Sequence, residues 1–346
     1  MKAADLLKVL NVAKPALGSA DSVLPVLSHF CFDGEAAYAY NDIAAIIVEN
    51  STGLRCALHG DTLTALLGAA GDTDVMIKVH GNAAKLDFGK GSDADLPYLP
   101  PETFIFKFPD ESVQFPIKLT VTPELLKGLD LCLLSVSNDA LSPEFSGVTF
   151  HTKKDGMTFY SSDNETASRF TPSAKVIGRT ALAVVVPQQT CQHLSKLYTA
   201  GAEGQQLSLN ADLAIGVFPA AGLVSKLLPA QPDMFERVFS GHCDGAVQVP
   251  IPPGFVREIT KAQIVTAKDQ VKVCQLVFKD GTLTVVAVGM LGNTRGTLPC
   301  AGEGAVAMPP DKLLRALPFV DKFAVNDGKS LVLSGNGFTH IISSTK

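Results

Sequence analysis

Apolar residues at helical spacing, followed by apolar residues at strand spacing, form a pattern that recurs along this chain. One such helix is predicted to begin at Thr122, the expected N-cap, with Pro123 in its first turn, where a missing N–H costs nothing. Its apolar face has members at intervals of four, three and four residues: Leu125, Leu129, Cys132 and Val136. Beyond residue 143 the period changes to two on either side of Lys154-Asp155-Gly156, which predicts a β-hairpin.

The same helix-then-hairpin unit is predicted three times, at a spacing of roughly 120 residues. The first helix covers 2–13 and is followed by an Asp33-Gly34 turn. The third covers 253–266 and is followed by a turn at Lys279-Asp280-Gly281. A chain built from one repeated helix–hairpin unit is expected to be α+β, with its helices packed against antiparallel sheets.

Each unit has a second half with another short helix and further strands. These helices are predicted at 61–70, with Asp61 as N-cap, at 187–198 and at 310–317. Prolines cluster without periodicity at 96–116 and 229–253, which indicates connectors. The chain is therefore predicted to form three domains, 1–115, 116–244 and 245–346, each with two helices.

Composition places the chain among folded proteins, with 46% hydrophobic and 18% charged residues. No apolar run approaches eighteen residues and no basic-then-apolar leader is visible, so a cytoplasmic protein is expected. The seven cysteines are scattered through apolar runs, which favours buried thiols in a reducing compartment. The net charge of −5 argues against a nucleic-acid partner unless the charges are segregated by surface.

The polar faces of the predicted helices carry bases and amides, although the whole chain is acidic. Candidate contacts with DNA phosphates are Lys8, Lys127, Gln189, His193, Lys196, Arg257, Lys261, Lys312 and Arg315. Several helix acids, Asp5, Glu124 and Asp311 among them, lie in first turns, where they complement the helix dipole. Two interpretations stay open: ordinary solvated faces, or a surface that touches duplex DNA without reading its sequence.

Signatures of catalysis are missing from the sequence. It contains no phosphate-binding glycine loop, no nucleophile elbow and no paired metal-ligand spacing. Cys191 and His193 are the candidates for a Cys/His-dependent small-molecule enzyme, but Cys191 is placed on an apolar face. A non-catalytic binding protein without cofactors is the preferred prediction.

Taken as a whole, the chain resembles the bacterial-type DNA polymerase III β subunit, the β sliding clamp. The resemblance is carried by repeat length and order and by a few landmarks: the stretch from Leu6-Leu7-Lys8 to Val23-Leu24-Pro25-Val26-Leu27, Asp163, Ser225-Lys226-Leu227 and Ile341-Ile342. It implies a head-to-tail homodimer in which six domains close a ring and twelve helices line a hole for double-stranded DNA. The implied partners are DNA, a DNA polymerase and a clamp loader; the alternative is a monomeric, clamp-like partner-binding protein.

The resemblance also implies an apolar pocket for partner peptides. By position, its residues are Ser162, Asn164, Thr166, Ala167, Pro232, Val238, Ile341 and Ser343. The sequence departs from the family pattern at Asn164-Glu165-Thr166-Ala167 and at its short polar ending Ser343-Ser344-Thr345-Lys346. The loop 18–22 lacks the arginine usual there for DNA contact. The pocket is therefore expected to be either altered or specific for a different partner, and such divergence would suit a phage- or plasmid-encoded clamp.

Overall fold

A computed structural model describes residues 1–19, 22–50, 52–139, 141–153, 156–173, 176–177 and 181–345. Within these ranges lie seven α-helices and twenty-five β-strands, numbered in chain order, so the predicted α+β class is confirmed. The helices are α1 (Ala3–Ala13), α2 (Gly60–Ala70), α3 (Pro123–Cys132), α4 (Gln188–Leu197), α5 (Pro232–Cys243), α6 (Phe255–Val265) and α7 (Pro310–Ala316).

The strands form three sheets, and every pairing between described strands is antiparallel. The twelve-stranded sheet contains β1 (His29–Asp33), β2 (Ala36–Tyr40), β3 (Ala44–Glu49), β4 (Arg55–His59), β5 (Met76–His80), β6 (Ala83–Asp87), β7 (Asp93–Leu99), β8 (Ile117–Thr120), β12 (Val176–Ile177), β14 (Gln206–Leu209), β15 (Leu213–Phe218) and β16 (Ala221–Lys226). Its spatial order is β12-β8-β14-β15-β16-β3-β2-β1-β4-β7-β6-β5.

The remaining strands make a nine-stranded and a four-stranded sheet. The nine are β9 (Gly147–Lys153), β10 (Gly156–Ser162), β11 (Thr166–Phe170), β13 (Leu182–Pro187), β17 (Leu228–Pro229), β18 (Val249–Pro250), β23 (Lys322–Asn326), β24 (Ser330–Gly335) and β25 (Phe338–Ser343), in the order β17-β13-β9-β10-β11-β25-β24-β23-β18. The four are β19 (Cys274–Lys279), β20 (Thr282–Gly289), β21 (Gly292–Pro299) and β22 (Gly304–Met308), in the order β21-β20-β19-β22.

The chain divides into two compact units, and each sheet lies wholly within one of them. The first unit holds the described residues of 1–121 and 189–227 with β12, and therefore the twelve-stranded sheet. The second unit holds the described residues of 122–174, with 181–188 and 228–345, and therefore the other two sheets. The division into domains 1–115, 116–244 and 245–346 stays a prediction.

Amphipathic packing explains how the helices are fixed within each unit. In the first unit, α1 buries Ala3, Leu6, Leu10 and Ala13 and packs on α2 and on the sheet. In the second, α3 lies across β10 and β11 and buries Leu125, Leu129 and Cys132, as their spacing predicts. The prediction was wrong for Val136, because α3 ends at Cys132 and Val136 is extended. Helix α6 packs on α7 and on β20 and β21.

The predicted helix starts are partly right. Thr122 caps α3, since its side chain accepts a hydrogen bond from the Leu125 N–H at 3.2 Å. Asp61 does not cap α2: the helix begins one residue earlier, and the His59 ring accepts from the Thr62 N–H at 3.4 Å. Asp61 lies in the first turn, 3.0 Å from Lys14 Nζ.

The hairpin predictions agree with the observed registers. Lys279 pairs with Thr282, and Asp280 and Gly281 between them have φ of 52° and 70°, as a two-residue turn of this kind requires. The Asp33-Gly34 turn joins β1 to β2. In the predicted turn Lys154-Asp155-Gly156, Gly156 is the first residue of β10. Lys154 and Asp155 lie outside the described residues.

Helix α5 was not predicted, because 229–253 reads as an aperiodic connector. Pro232 lies at its first position, where proline suits a helix start. Phe235 and Phe239, four residues apart, are both buried, and the two rings lie 5.4 Å and 5.8 Å from the Tyr160 ring. Tertiary packing of one aromatic face therefore fixes a helix in a segment rich in helix-breaking residues.

Two helical glycines make a matched test of this packing. Alanine normally stabilises a helix interior by about 0.5–1 kcal/mol over glycine. At Gly128 of α3 an added Cβ would overlap the Phe170 ring, whereas at Gly68 of α2 the nearest atom is Leu7 Cδ2 at 3.8 Å. We expect Gly128→Ala to lower the free energy of unfolding by about 1–3 kcal/mol and Gly68→Ala to raise it, measured by urea denaturation. Equal effects of the two substitutions would contradict the packing of α3 on β11.

Candidate functional site

Six of the nine predicted DNA contacts are exposed cations on helices, and four of these six lie on helices other than α6. Lys8, Lys127, Lys196 and Arg315 lie on α1, α3, α4 and α7, and all four are exposed. None of them has an ion-pair partner among the residues that the structure describes. Four separate helices therefore offer an unneutralised positive charge in a chain whose net charge is −5.

His193 is a wrong prediction as an exposed contact, because its side chain is only 4% exposed. It shares the inner face of α4 with Thr190, Leu194 and Leu197, at helical intervals that the sequence could have revealed. Both ring nitrogens are buried without a hydrogen-bond partner in the described structure. Burial lowers the pKa of His193 to about 4, and nearby Lys196 adds to the shift.

Other predicted contacts are already engaged. Lys312 is half-buried and pairs with Asp163 at 3.4 Å and with Glu165 at 2.5 Å, so its charge is directed to the β10–β11 turn. Gln189 accepts a hydrogen bond from Asn41 at 2.8 Å.

Arg257 and Lys261 flank a buried carboxylate that the sequence did not reveal. Each places a nitrogen 3.0 Å from Glu258, whose side chain is 4% exposed and packs on Gly296 of β21. The Lys261 ammonium and then Arg257 hold the pKa of Glu258 below its usual range, against the effect of burial. Reversing the two charges would leave the Glu258 carboxylate uncompensated, so these bases have a structural role whatever else they contact.

Most of the predicted pocket residues line one cavity of about 220 Å³ in the second unit, here called the β10–β11 pocket. Seven of the eight are present: Ser162, Asn164, Thr166, Ala167, Val238, Ile341 and Ser343. Pro232 begins α5 and does not line the cavity. The residues that the sequence did not reveal are Phe145, Glu165, Met234, Phe235 and His242. Three of these five belong to α5, whose Phe235 and Phe239 spacing was the available signal.

The rim of the β10–β11 pocket is a preorganised turn. The Asp163 carboxylate accepts hydrogen bonds from the N–H groups of Glu165 and Thr166, and Asn164 adopts a left-handed φ of 69°. Burial raises the pKa of Asp163, but the Thr166 N–H and Lys312 outweigh it, and the pKa lies below its usual value. The turn is therefore held as an ionised, hydrogen-bonded unit at neutral pH.

The floor of the β10–β11 pocket is aromatic, and a polar network is buried behind it. Tyr160 stacks on Phe235 with ring centroids 5.4 Å apart, and Phe145 meets Phe235 edge-on. Deeper, Ser168 Oγ lies 2.9 Å from Ser135 Oγ and 2.9 Å from His340 Nδ1. Burial lowers the pKa of His340 to about 4. A neutral buried network thus supports the sheet under an apolar floor.

A neighbouring cavity of about 410 Å³ shares Asn164, Glu165 and Ser343 with the β10–β11 pocket. It is edged by Lys272, Asp311 and Lys312 and by the C-terminal residues 344 and 345. The chain end is anchored there, because Thr345 N–H donates to the Ala307 carbonyl at 2.8 Å. Lys346, and Ala20 and Asp21 of the loop 18–22, lie outside the described residues. The two cavities therefore adjoin at the three residues that they share.

Cys191 and His193 are both buried, so neither side chain is open to a substrate. Within the described part of the chain, no three His, Cys, Asp or Glu side chains converge as metal ligands would. No described helix has both the length and the apolar character needed to span a bilayer.

Comparison with known proteins finds matches in structure and none in sequence. No family model and no curated protein sequence matches this chain. Solved structures do: a sliding clamp (DNA polymerase III subunit beta) from Pseudomonas aeruginosa bound to griselimycin matches with a TM-score of 0.84 at 14% identity, over 100% of this chain and 98% of that one. The chain has the DNA sliding-clamp fold.

Two further clamps support the same assignment of fold. A putative DNA polymerase III beta subunit from Eubacterium rectale matches with a TM-score of 0.86 at 16% identity, over 100% of this chain and 98% of that one. The Helicobacter pylori beta clamp bound to a DNA ligase peptide matches with a TM-score of 0.79 at 10% identity, over 100% and 99%. The clamp fold therefore accounts for the whole chain, at a sequence distance that explains the altered landmarks.

The buried imidazole on α4 gives a prediction about stability in this clamp fold. His193→Leu removes two unsatisfied nitrogens, so the free energy of unfolding should rise by about 1–3 kcal/mol at pH 7. Below pH 6.5 the His193 ring binds a proton in the unfolded chain. In the folded protein the buried ring, with its pKa of about 4, stays neutral at the same pH. The wild type therefore loses stability as the pH falls from 6.5 toward 4, and the advantage of the variant grows.

The measurement is urea unfolding at several pH values, with the exposed neighbour Gln192→Leu as the matched control. The control should change stability by less than about 0.5 kcal/mol at every pH. An unaltered or lower stability of His193→Leu, with the same pH slope as the wild type, would contradict the buried, unpartnered state of this ring.

Proposed function

We propose that this protein is a DNA sliding clamp, a non-catalytic processivity factor that encircles duplex DNA and tethers a replicative DNA polymerase in the cytoplasm. The observation that carries the proposal is the match to clamps over 100% of this chain and 98% of theirs, together with a ready-formed apolar pocket at the predicted partner position. The Helicobacter pylori clamp is described with a DNA ligase peptide, which makes a peptide of a DNA enzyme a reasonable ligand class here.

Free sheet edges support assembly into a closed ring. Strand β5 ends the twelve-stranded sheet and β21 ends the four-stranded sheet, and neither has an outer neighbour within the described chain. On β5, Met76 and Val79 are 54% and 40% exposed. A sheet edge with unpaired backbone groups and exposed apolar side chains tends to pair with a strand of another chain. We propose that β5 of one protomer pairs with β21 of the next, head to tail, and that two protomers, each with domains 1–115, 116–244 and 245–346, close the ring.

The positive helix faces are proposed to meet the DNA. A ring held by topology needs only weak, sequence-independent phosphate contacts, which Lys8, Lys127, Lys196 and Arg315 can supply. The negative net charge then resides on other surfaces. Arg257 and Lys261 can add to the field while they neutralise Glu258.

The β10–β11 pocket is proposed to bind a partner peptide, as from the polymerase or the clamp loader. Its floor of Phe145, Phe235 and Ala167 suits one large apolar side chain, and the neighbouring cavity accommodates the residues beside it. A monomeric protein with this pocket but no ring is the second candidate, and the open edges of β5 and β21 disfavour it.

A charge-neutralising variant tests the DNA face. Replacing Lys8, Lys127, Lys196 and Arg315 by Ala should lower the affinity for a 30-base-pair duplex, a probe length of about three helical turns. It should also flatten the salt dependence, since each lost phosphate contact removes about 0.9 from the log–log slope. The matched control removes four exposed lysines from turns and strands: Lys90, Lys118, Lys279 and Lys329. Equal loss in both variants, measured by fluorescence anisotropy, would contradict the assignment of the helix faces.

A second variant tests the pocket. Val238→Glu places a carboxylate in the β10–β11 pocket and should weaken the complex with the partner polymerase about tenfold or more, a cost of roughly 1.4 kcal/mol or above. Val247→Glu, at a 79% exposed position after α5, is the matched control. Affinity is measured by surface plasmon resonance on the immobilised full-length protein. Undiminished binding by Val238→Glu would rule the pocket out as the partner site.

A further inference from the structure

The hairpin turn beside the β10–β11 pocket has a structural copy in the first unit. Asn41 Oδ1 accepts hydrogen bonds from the N–H groups of Ile43 and Ala44 at 3.1 Å and 2.9 Å, as Asp163 does from the two residues at the same offsets. The next residue is left-handed in both turns, with φ of 74° at Asp42 and 69° at Asn164. The β2–β3 turn therefore repeats the β10–β11 turn in both its hydrogen bonds and its backbone.

The strand facing each turn is also equivalent. Ala45 pairs with Val224 on β16, and Ala167 pairs with Ile341 on β25, four residues after the turn's Asn or Asp in both cases. Two residues further along, Lys226 takes the position of Ser343. The wall of the β10–β11 pocket that Ile341 and Ser343 form thus has a counterpart in Val224 and Lys226.

Aromatic residues of a connector cover both hairpins. Tyr38 on β2 lies 5.3 Å from Phe106 and 5.9 Å from Phe104, and Tyr160 on β10 lies 5.4 Å from Phe235. The connector is extended in the first unit and helical in the second, but its rings pack on the same tyrosine position. All three walls of the β10–β11 pocket consequently recur in the first unit.

These walls enclose a groove of about 330 Å³, here called the β2–β3 groove. Its apolar surface includes Ile43 and Ile105, which are 37% and 41% exposed. Phe106 and Val224 also line the groove. The volume lies within the range of about 300–1,000 Å³ that ligand sites occupy. The groove can therefore enclose a large apolar side chain that the described chain itself does not supply.

The charges at the groove define the partner it suits. The Lys226 ammonium is 2.8 Å from the Asp42 carboxylate, so the charges of Lys226 and Asp42 cancel. The same ammonium lies 5.8 Å from the centre of the Tyr40 ring. Lys107 also lines the groove, is exposed, and has no ion-pair partner among the residues described. One uncompensated positive charge beside an apolar surface favours a ligand with a carboxylate next to an apolar group.

We propose that the β2–β3 groove is a second docking site, for an extended peptide segment that carries a large apolar residue beside an aspartate or glutamate. The apolar side chain lies against Ile43 and Ile105, and the carboxylate pairs with Lys107. The inference rests on the proposed function in one respect: the copied pocket is itself taken to bind peptides. The groove differs from that pocket in its positive rim, so the two sites select different segments.

The experiment separates the two sites on the full-length protein. A phage library of random eight-residue peptides is panned on immobilised Val238→Glu protein, in which the β10–β11 pocket is blocked, and the most enriched peptide is synthesised with a fluorescein label. Its affinity is then measured for Val238→Glu alone and in combination with Ile105→Asp, with Lys107→Glu, or with the control Lys279→Glu. Ile105, Lys107 and Lys279 are exposed, so folding should be retained, and circular dichroism verifies it.

The proposal expects enrichment of peptides with an apolar residue beside Asp or Glu. Ile105→Asp and Lys107→Glu should each weaken binding about tenfold, while Lys279→Glu changes nothing. The Lys107→Glu effect should vanish for a peptide whose acid is replaced by its amide. No enrichment on Val238→Glu, or binding indifferent to both groove substitutions, would overturn the second site. If the β10–β11 pocket binds no peptide, panning on the wild type and on Val238→Glu will enrich the same peptides. Failure of the first pocket is therefore distinguished from failure of the second site.

Discussion

Backbone pairing between strands that are remote in sequence is the constraint on which this structure depends. Strand β16 pairs with β3 through residues 222–225 and 44–47, and β11 pairs with β25 through residues 166–170 and 338–342. Each pairing satisfies a row of N–H and C=O groups that would otherwise form an exposed sheet edge. Strands β5 and β21, which end the twelve-stranded and four-stranded sheets, have no outer neighbour within the described chain, and a second protomer is the partner proposed for them.

Both candidate docking surfaces lie at these long-range seams. At each seam, a hairpin turn fixed by an Asn or Asp side chain meets a strand from a distant part of the sequence, and a connector closes the third side. Rigid strands provide the walls, so a pocket exists without a ligand. Differences between the seams then fall on a few side chains, such as Lys226 in place of Ser343, and we propose that these differences give each surface its own partner chemistry.

The sequence predicts local features of this fold well. Period-three-and-four spacing located six of the seven described helices, and the Thr122 cap and the Asp280-Gly281 turn are set by neighbouring residues alone. Prediction fails where tertiary contacts decide. Helix α5 forms because Phe235 and Phe239 find Tyr160, and Lys312 turns toward Asp163, more than a hundred residues away. His193 was assigned by its polarity, although its helical phase places it in the core. Most of the pocket residues were predicted only from the resemblance to sliding clamps, because no sequence periodicity relates residues 162–167 to residues 341–343.

The central claim is that two copies of this chain complete each other's open sheet edges and close a ring. The most direct test is the mass of the full-length protein in solution, by size-exclusion chromatography with light scattering at micromolar concentration. The account predicts a single species of twice the 36.4 kDa chain mass, whose elution does not shift on dilution. A species of 36.4 kDa at all concentrations would contradict it, because a lone chain has no second set of edges with which to surround DNA.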